Sequence, residues 1–311
     1  MGTEQETISE IEKTEKTKHE IDMVNGPILK KMLVFAFPLM CSGVLQLLFN
    51  AADIIVVGRF AGDNSLAAVG STTSLINLLS NLFIGLSVGG NVLAARYFGA
   101  RREKDLSETV HTAIMVSLIS GVILAVIGMI LARPVLHLMQ APDSVLGLSA
   151  LYLRIYFIGM PSMMVYNFGS SILRAKGDTR RPLIFLSIAG VLNVILNLIF
   201  VIQFHMDVAG VATATAISQT VSAVLILRCL TKETGGFKLS LKKLGIHKDK
   251  LVTIAQIGLP AGFQGVLFSI SNVILQSSIN TFGDTIIAAN AAAANIEGFT
   301  YMAMNAFYQA A

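Results

Sequence analysis

The stretch Met115-Val-Ser-Leu-Ile-Ser-Gly-Val-Ile-Leu-Ala-Val-Ile-Gly-Met-Ile-Leu131 contains no charged residue, and its apolar side chains fall on every side of a helix. A helix on the surface of a soluble domain keeps a polar face, and a barrel strand alternates at period two, so a run apolar all round reads as a buried or lipid-facing helix. Composition extends this reading to the whole chain. Of 311 residues, 54% are hydrophobic and 14% charged, with a mean hydropathy of +0.69. Soluble domains carry about 25% charged residues.

A bilayer core needs about 20 mostly apolar residues per helix. By that measure the sequence predicts eight spans, at 33–57, 66–95, 109–132, 148–173, 183–204, 208–229, 251–280 and 286–311. Basic residues alternate between their connections. Arg101, Arg102 and Lys104 follow the second span, and Arg174, Lys176, Arg180 and Arg181 the fourth. Seven more, from Arg228 to Lys250, follow the sixth, while Arg59 and Arg133 stand alone on the other side. Positive charge is retained in the cytoplasm, so the expectation is a multi-pass inner-membrane protein with a cytoplasmic amino terminus. Residues 1–27 hold seven acids and three lysines and read as a disordered cytoplasmic tail, not a signal peptide. The net charge of +4 is spread over short clusters between spans, unlike a nucleic-acid-binding stripe. Cys41 and Cys229 have no near partner and the five histidines lack ligand spacing, so neither a disulfide framework nor a metal site is expected.

The chain also repeats itself. Pro38, Gly43, Val44, Leu45, Asn50 and Phe60 recur 222 residues on as Pro260, Gly265, Val266, Leu267, Asn272 and Phe282. After one deletion, Gly62, Asp63, Ala67 and Ala68 recur as Gly283, Asp284, Ala288 and Ala289. Six spans separate the copies, so both enter the membrane in one orientation, as parallel repeats about an axis along its normal. The expected architecture is an all-α polytopic bundle of two six-helix pseudo-symmetric lobes, twelve helices of which eight are present. Residues 28–230 would form the first lobe, 231–250 a basic cytoplasmic linker and 251–311 the first two helices of the second. A second copy of equal length would end near residue ~440, so about four helices are expected beyond this stretch. The linker reads either as an amphipathic surface helix or as an exposed basic loop.

Charges within a bilayer are costly and usually face a cavity or a partner. Ser42, Gln46, Asn50 and Asp53 are spaced 4, 4 and 3, which places them on one face of the first span. Asp53 falls in its outer half, where it either serves proton exchange or simply reaches outer-surface water. Asn77 with Asn81, Asn193 with Asn197, and Asn272 with Gln276 and Asn280 repeat the spacing of four in other spans. Interhelical hydrogen bonds explain any one pair; four polar stripes in one bundle suggest a hydrated cavity lined by Gln46, Asn50, Asn77, Asn81, Asn272 and Gln276. Pro38 lacks an amide hydrogen and is a candidate gating kink. Arg154 reads as an arginine that snorkels to the outer surface, and Met160, Met163 and Met164 as either core packing or an adaptable binding surface. No GxxxxGK[ST] phosphate loop is present, which leaves ion-driven transport. An intramembrane enzyme would need a catalytic constellation that the sequence does not show, and a passive channel would lack gradient-coupled flux.

Leu173-Arg-Ala-Lys-Gly-Asp-Thr-Arg-Arg-Pro182, Pro38 with Asp53 fifteen residues on, and Arg96-Tyr-Phe-Gly-Ala100 together resemble the multidrug and toxic compound extrusion family. The resemblance runs from about residue 28 to the end. It implies twelve helices in two lobes and antiport of small organic substrates, cationic drugs above all, against protons or sodium by alternating access. It needs no cofactor and no partner beyond the bilayer, and a monomer is expected. Asp53 matches the family's first-helix carboxylate, associated with cation coupling, and Asn193 a polar position in the fifth helix. Asn197 stands where some members have an aspartate. The sodium-dependent branch places a glutamate near Phe268, and none is there, so the resemblance leans to a DinF-like, proton-coupled member. A lipid-linked saccharide flippase of the same superfamily is the rival; it would call for several cationic residues in the cavity, and Arg154 is the one clear candidate. The stretch by itself, with one lobe and two further helices, is expected to be inactive.

Overall fold

The computed structural model describes Ile21 and residues 28–138, 143–279, 297, 298, 300–307 and 309. Among the described residues eight long helices carry the fold: α1 (Ile28–Phe60), α2 (Asp63–Gly99), α3 (Glu103–Leu138), α4 (Asp143–Ile158), α5 (Met160–Ala175), α6 (Arg180–Leu198), α7 (Asp207–Thr231) and α8 (Lys248–Ile279). A π-helical turn, Ile199–Gln203, extends α6. No strand occurs among the described residues. Six of these helices are long and apolar enough to cross a bilayer alone, and the bent α4–α5 pair passes the same test when taken together as one span. The chain is an all-α, multi-pass membrane bundle, as its composition required. The expected eighth span lies largely outside the described residues, although Tyr301–Phe307 is helical. The tail at 1–27 also lies outside them apart from Ile21, whose amide donates to the Gly177 carbonyl at 3.3 Å.

The fourth span departs from expectation. Read from hydropathy as one helix over 148–173, it is broken at Gly159 and bends by 47°. Pro161 is the cause: it has no amide hydrogen to give the turn before it, so the helix restarts with proline in its first turn. The bend is packed tightly. A Cβ on Gly121 of α3 would lie 2.3 Å from the Pro161 Cα, and one on Gly128 would lie 2.1 Å from the Phe157 ring. Met160 and Met164 are fully buried in this core, with Leu124, Leu136, Leu153 and Phe157, so they are packing residues and not an open binding surface. Arg154 is exposed.

Of the two alternatives the linker is nearer the loop, with Lys238, Lys242 and Lys243 exposed, although parts of it are packed down. It forms two short 3₁₀ turns, Gly235–Phe237 and Leu241–Lys243, strapped across the first turns of α3. Besides the bonds inside each turn, three of its amides go to α3 side chains: Gly236 donates to Glu103, Ser240 to His111 Nε2 at 3.0 Å, and His247 to Thr112 Oγ1 at 3.1 Å. Phe237 is buried and meets Phe98 edge to face at 5.1 Å. Gly235, at φ 58, supplies the left-handed turn that an amphipathic helix would have excluded.

Helices α2 and α8 pack backbone to backbone. A Cβ on Gly85 would fall 2.2 Å from the Gly262 amide nitrogen, and one on Gly89 would fall 2.2 Å from the Ile254 carbonyl oxygen. Gly258 and Gly262 present the same absence to Leu86 and Leu82. Association of helices in lipid rests on such van der Waals contact, and small residues permit it. Above this seam Asn81 donates to Ser269 Oγ at 3.1 Å. One pair of contacts follows the sequence repeat: Gly43 faces Met302, and Gly265 faces Asn81, partners related by offsets of 222 and 221 residues.

Candidate functional site

Asp53 lies two helical turns before the end of α1, and its position is set by a glycine on another helix. Gly190 of α6 leaves room for Phe49 of α1: a Cβ there would overlap the Phe49 ring at 1.8 Å. Phe49 and Asp53 are one turn apart, as are Asn193 and Asn197 beyond Gly190, so this approach aligns the carboxylate with the two amides. Asn197 donates to Asp53 Oδ1, and the same Nδ2 also donates to Asn193 Oδ1 at 3.2 Å. Asn193 Nδ2 in turn donates to Thr215 Oγ1 of α7 at 3.2 Å, and Thr215 to the Val211 carbonyl at 3.0 Å. Asn197 is fully buried and Asn193 nearly so. The Oδ1 of Asn197 is buried with no donor. Three helices thus contribute to one hydrogen-bonded chain that ends on a carboxylate and holds one spare acceptor.

Thr215 was not singled out by sequence. A threonine inside an apolar span normally bonds its own preceding turn, and only the packing of α7 on α6 brings it to Asn193. It also lines a small cleft at the α4–α5 break, with Tyr156, Gly159, Met163 and Gln219.

The remaining sequence candidates are placed differently. Gln46 and Asn50 on α1, Asn77 on α2 and Asn272 on α8 are exposed, and Asn81 is engaged with Ser269. The Gln276 side chain and Asn280 lie outside the described residues. α1 runs without interruption through buried Pro38, whose carbonyl accepts the Ser42 hydroxyl at 2.9 Å. Replacing Gly190 with alanine is expected to cost about 1–3 kcal/mol by overpacking against Phe49. Melting of the single and the Gly190→Ala/Phe49→Ala double variants checks this: the double should lose less than the sum of the singles.

The segment Leu173–Pro182 forms a brace at the basic end. Gly177, at φ 96, turns the chain. The Asp178 carboxylate accepts the amides of Arg180 and Arg181, the first two of α6, each at 3.1 Å, and also pairs with the Arg181 guanidinium. Arg181 continues to Glu233, which takes Lys176 Nζ at 2.7 Å on its other oxygen.

The family model described as MatE matches residues 38–199, more than half of the chain. Among curated proteins, the "Probable multidrug resistance protein YoeA" of Bacillus subtilis is 30% identical over 282 residues, covering 88% of this chain and 61% of its own length. The "Multidrug export protein MepA" of Staphylococcus saprophyticus is 24% identical, with coverage of 84% and 58%. The chain therefore spans about three fifths of the length of these relatives. Among solved structures, one described as an outward-facing conformation of a multidrug resistance MATE family transporter of the MOP superfamily superposes with TM-score 0.86 at 27% identity, covering 95% of this chain and 66% of that one. A MATE structure in the bent conformation gives TM-score 0.84 at 27% identity, with coverage of 92% and 64%. With its membrane bundle, its family-model match and these superpositions, the chain belongs to the MatE, or multidrug and toxic compound extrusion, family.

Proposed function

We propose that the chain serves secondary active export of small organic molecules, cationic drugs among them, in exchange for a cation, with Asp53 as the coupling carboxylate. The observation that carries this reading is the Asp53–Asn197–Asn193–Thr215 chain, which connects an acid within a membrane-crossing helix to two further helices. A proton is the favoured cation, and a DinF-like member the favoured branch. As an ionised group Asp53 takes the Asn197 amide hydrogen; a protonated Asp53 has a hydrogen to give, and Asn197 Oδ1 is a neighbouring acceptor without a donor. A flip of the Asn197 amide, with Asn193 flipping in turn so that its Nδ2 donates to Asn197 Oδ1, exchanges one arrangement for the other. Each cation loaded then changes how α1 is held to α6, and a two-state helix position biased by cation and substrate is what alternating access between two lobes requires. The proposed placement is the inner membrane with a cytoplasmic amino terminus, supported by the gathering of Arg102, Lys176, Arg181 and Lys250 into ion pairs at one end of the bundle.

The test is ethidium efflux from everted vesicles of cells expressing the gene that encodes this chain, under an imposed proton gradient, with and without sodium. Proton-driven efflux that Asp53→Asn abolishes is expected. Efflux unchanged by the substitution would make Asp53 structural, and absence of drug movement under either gradient would turn attention to lipid-linked saccharides.

A further inference from the structure

Between the start of α6 and the end of α7, at the basic end of the bundle, runs a groove of about 320 Å³. Arg181, Arg228 and Lys232 line it, with Glu233 as the acid and Phe185 and Leu225 as apolar wall. Glu233 does not neutralise the groove, because its two oxygens are already committed to Lys176 and Arg181. Arg228 and Lys232 are exposed, and neither makes an ion pair among the described residues. Arg181 is held rigidly: Nε by Asp178, Nη1 by Glu233 and by Cys229 Sγ at 3.1 Å. Its Nη2 is buried and has no acceptor. A fixed guanidinium with one orphaned donor below two free surface cations calls for an anion with several oxygens, and phosphate suits it.

The surroundings decide the source of that phosphate. Directly along α6 and α7 from the groove, Ile184, Ile188 and Val191, and Val224 opposite, project outward with about half of their surface exposed. These are lipid-facing positions of two membrane-crossing helices, continuous with the Phe185 and Leu225 wall. A basic pocket between transmembrane helices at the charged membrane surface is the setting in which anionic headgroups are held. We infer that the α6–α7 groove binds the phosphodiester headgroup of an anionic phospholipid, whose acyl chains lie along the Ile184–Val224 face. The groove is separate from the Asp53 chain, and Cys229 on its wall reports on occupancy.

Native mass spectrometry of the purified chain with added phosphatidylglycerol or phosphatidylcholine tests this. Phosphatidylglycerol should be retained preferentially, and Arg228→Gln/Lys232→Gln should weaken it roughly thirtyfold, from about tenfold or less per surface cation. Lys238→Gln/Lys242→Gln, with the same charge loss on exposed linker lysines, should leave it unchanged. In a Cys41→Ser background, phosphatidylglycerol vesicles should slow alkylation of Cys229 while phosphatidylcholine does not, a readout that needs no change to the groove. Equal retention of both lipids, an unaffected Arg228→Gln/Lys232→Gln variant, or unprotected Cys229 overturns the inference. Displacement of the lipid by millimolar inorganic phosphate would assign the groove to a free anion and overturn it as well.

Discussion

With Gly89 replaced by leucine, a disulfide between Asn81→Cys and Ser269→Cys should cease to form under oxidation, in a background where Cys41 and Cys229 are serine. The two native side chains are in hydrogen-bond contact at 3.1 Å, so the pair reports directly on whether α8 is docked on α2. A side chain at position 89 would meet the Ile254 carbonyl oxygen and the Gly258 nitrogen, at 2.2 and 3.0 Å from its first carbon. Both are backbone atoms, so neither can rotate aside and the helices themselves must separate. Overpacking typically costs about 1–3 kcal/mol where side chains can shift. Here the upper end is expected, roughly a hundredfold change in the docked fraction. Gly147→Leu is the control, since nothing lies within 4 Å of a Cβ at that glycine. Cross-linking that survives Gly89→Leu would mean that the α2–α8 seam does not depend on backbone contact.

The second large effect is expected at Glu233. Its carboxylate is almost fully buried between Lys176 and Arg181. Removing it in Glu233→Ala leaves two cations at the brace with Asp178 as the remaining acid among the described residues, and breaking one side of a buried pair costs about 3–5 kcal/mol. The same geometry sets a pH dependence. Burial pushes the Glu233 carboxyl up, but the Lys176 ammonium and the Arg181 guanidinium outweigh burial and hold it below the ordinary 4.5. A carboxylate lowered in the folded state contributes stability above its unfolded value, and that contribution is lost as pH falls through the folded value. Melting temperature should therefore drop below about pH 4.5 in the wild type, and Glu233→Gln should be less stable at neutral pH with a flatter acid limb. Parallel acid limbs for the two proteins would show that Glu233 is not the titrating group.

Much of the architecture was legible because the bilayer imposes simple rules. Runs such as Met115–Leu131 have no polar face to give water, and six long helices and the bent α4–α5 pair stand where hydropathy placed spans. The Asn193–Asn197 pairing was legible too, since a spacing of four can only mean one helical face. The break at Gly159 was not, because hydropathy averages over side chains and ignores the missing amide of Pro161. The same blindness hid Thr215, whose partner comes from another helix, and Gly190, whose contribution is the space it leaves for Phe49. In the linker, lysine spacing suggested a helix or a loop, while the decisive residues were Gly235, Phe237 and the acceptors on α3.

The seam between α2 and α8 has one further consequence. A contact made of side chains interlocked in holes must reset many rotamers each time it opens, and each reset slows the return. Gly85 and Gly89 against Gly258 and Gly262 offer bare backbone on both sides. Such surfaces can part and rejoin as rigid rods, without repacking or memory of the earlier state. The toll on reopening then falls on a few discrete polar ties, chiefly Lys250 with the Tyr97 hydroxyl at 3.4 Å and Asn81 with Ser269. Tight fit and fast reversibility, usually in conflict at a protein interface, are both available to a junction built from residues that have nothing to rearrange.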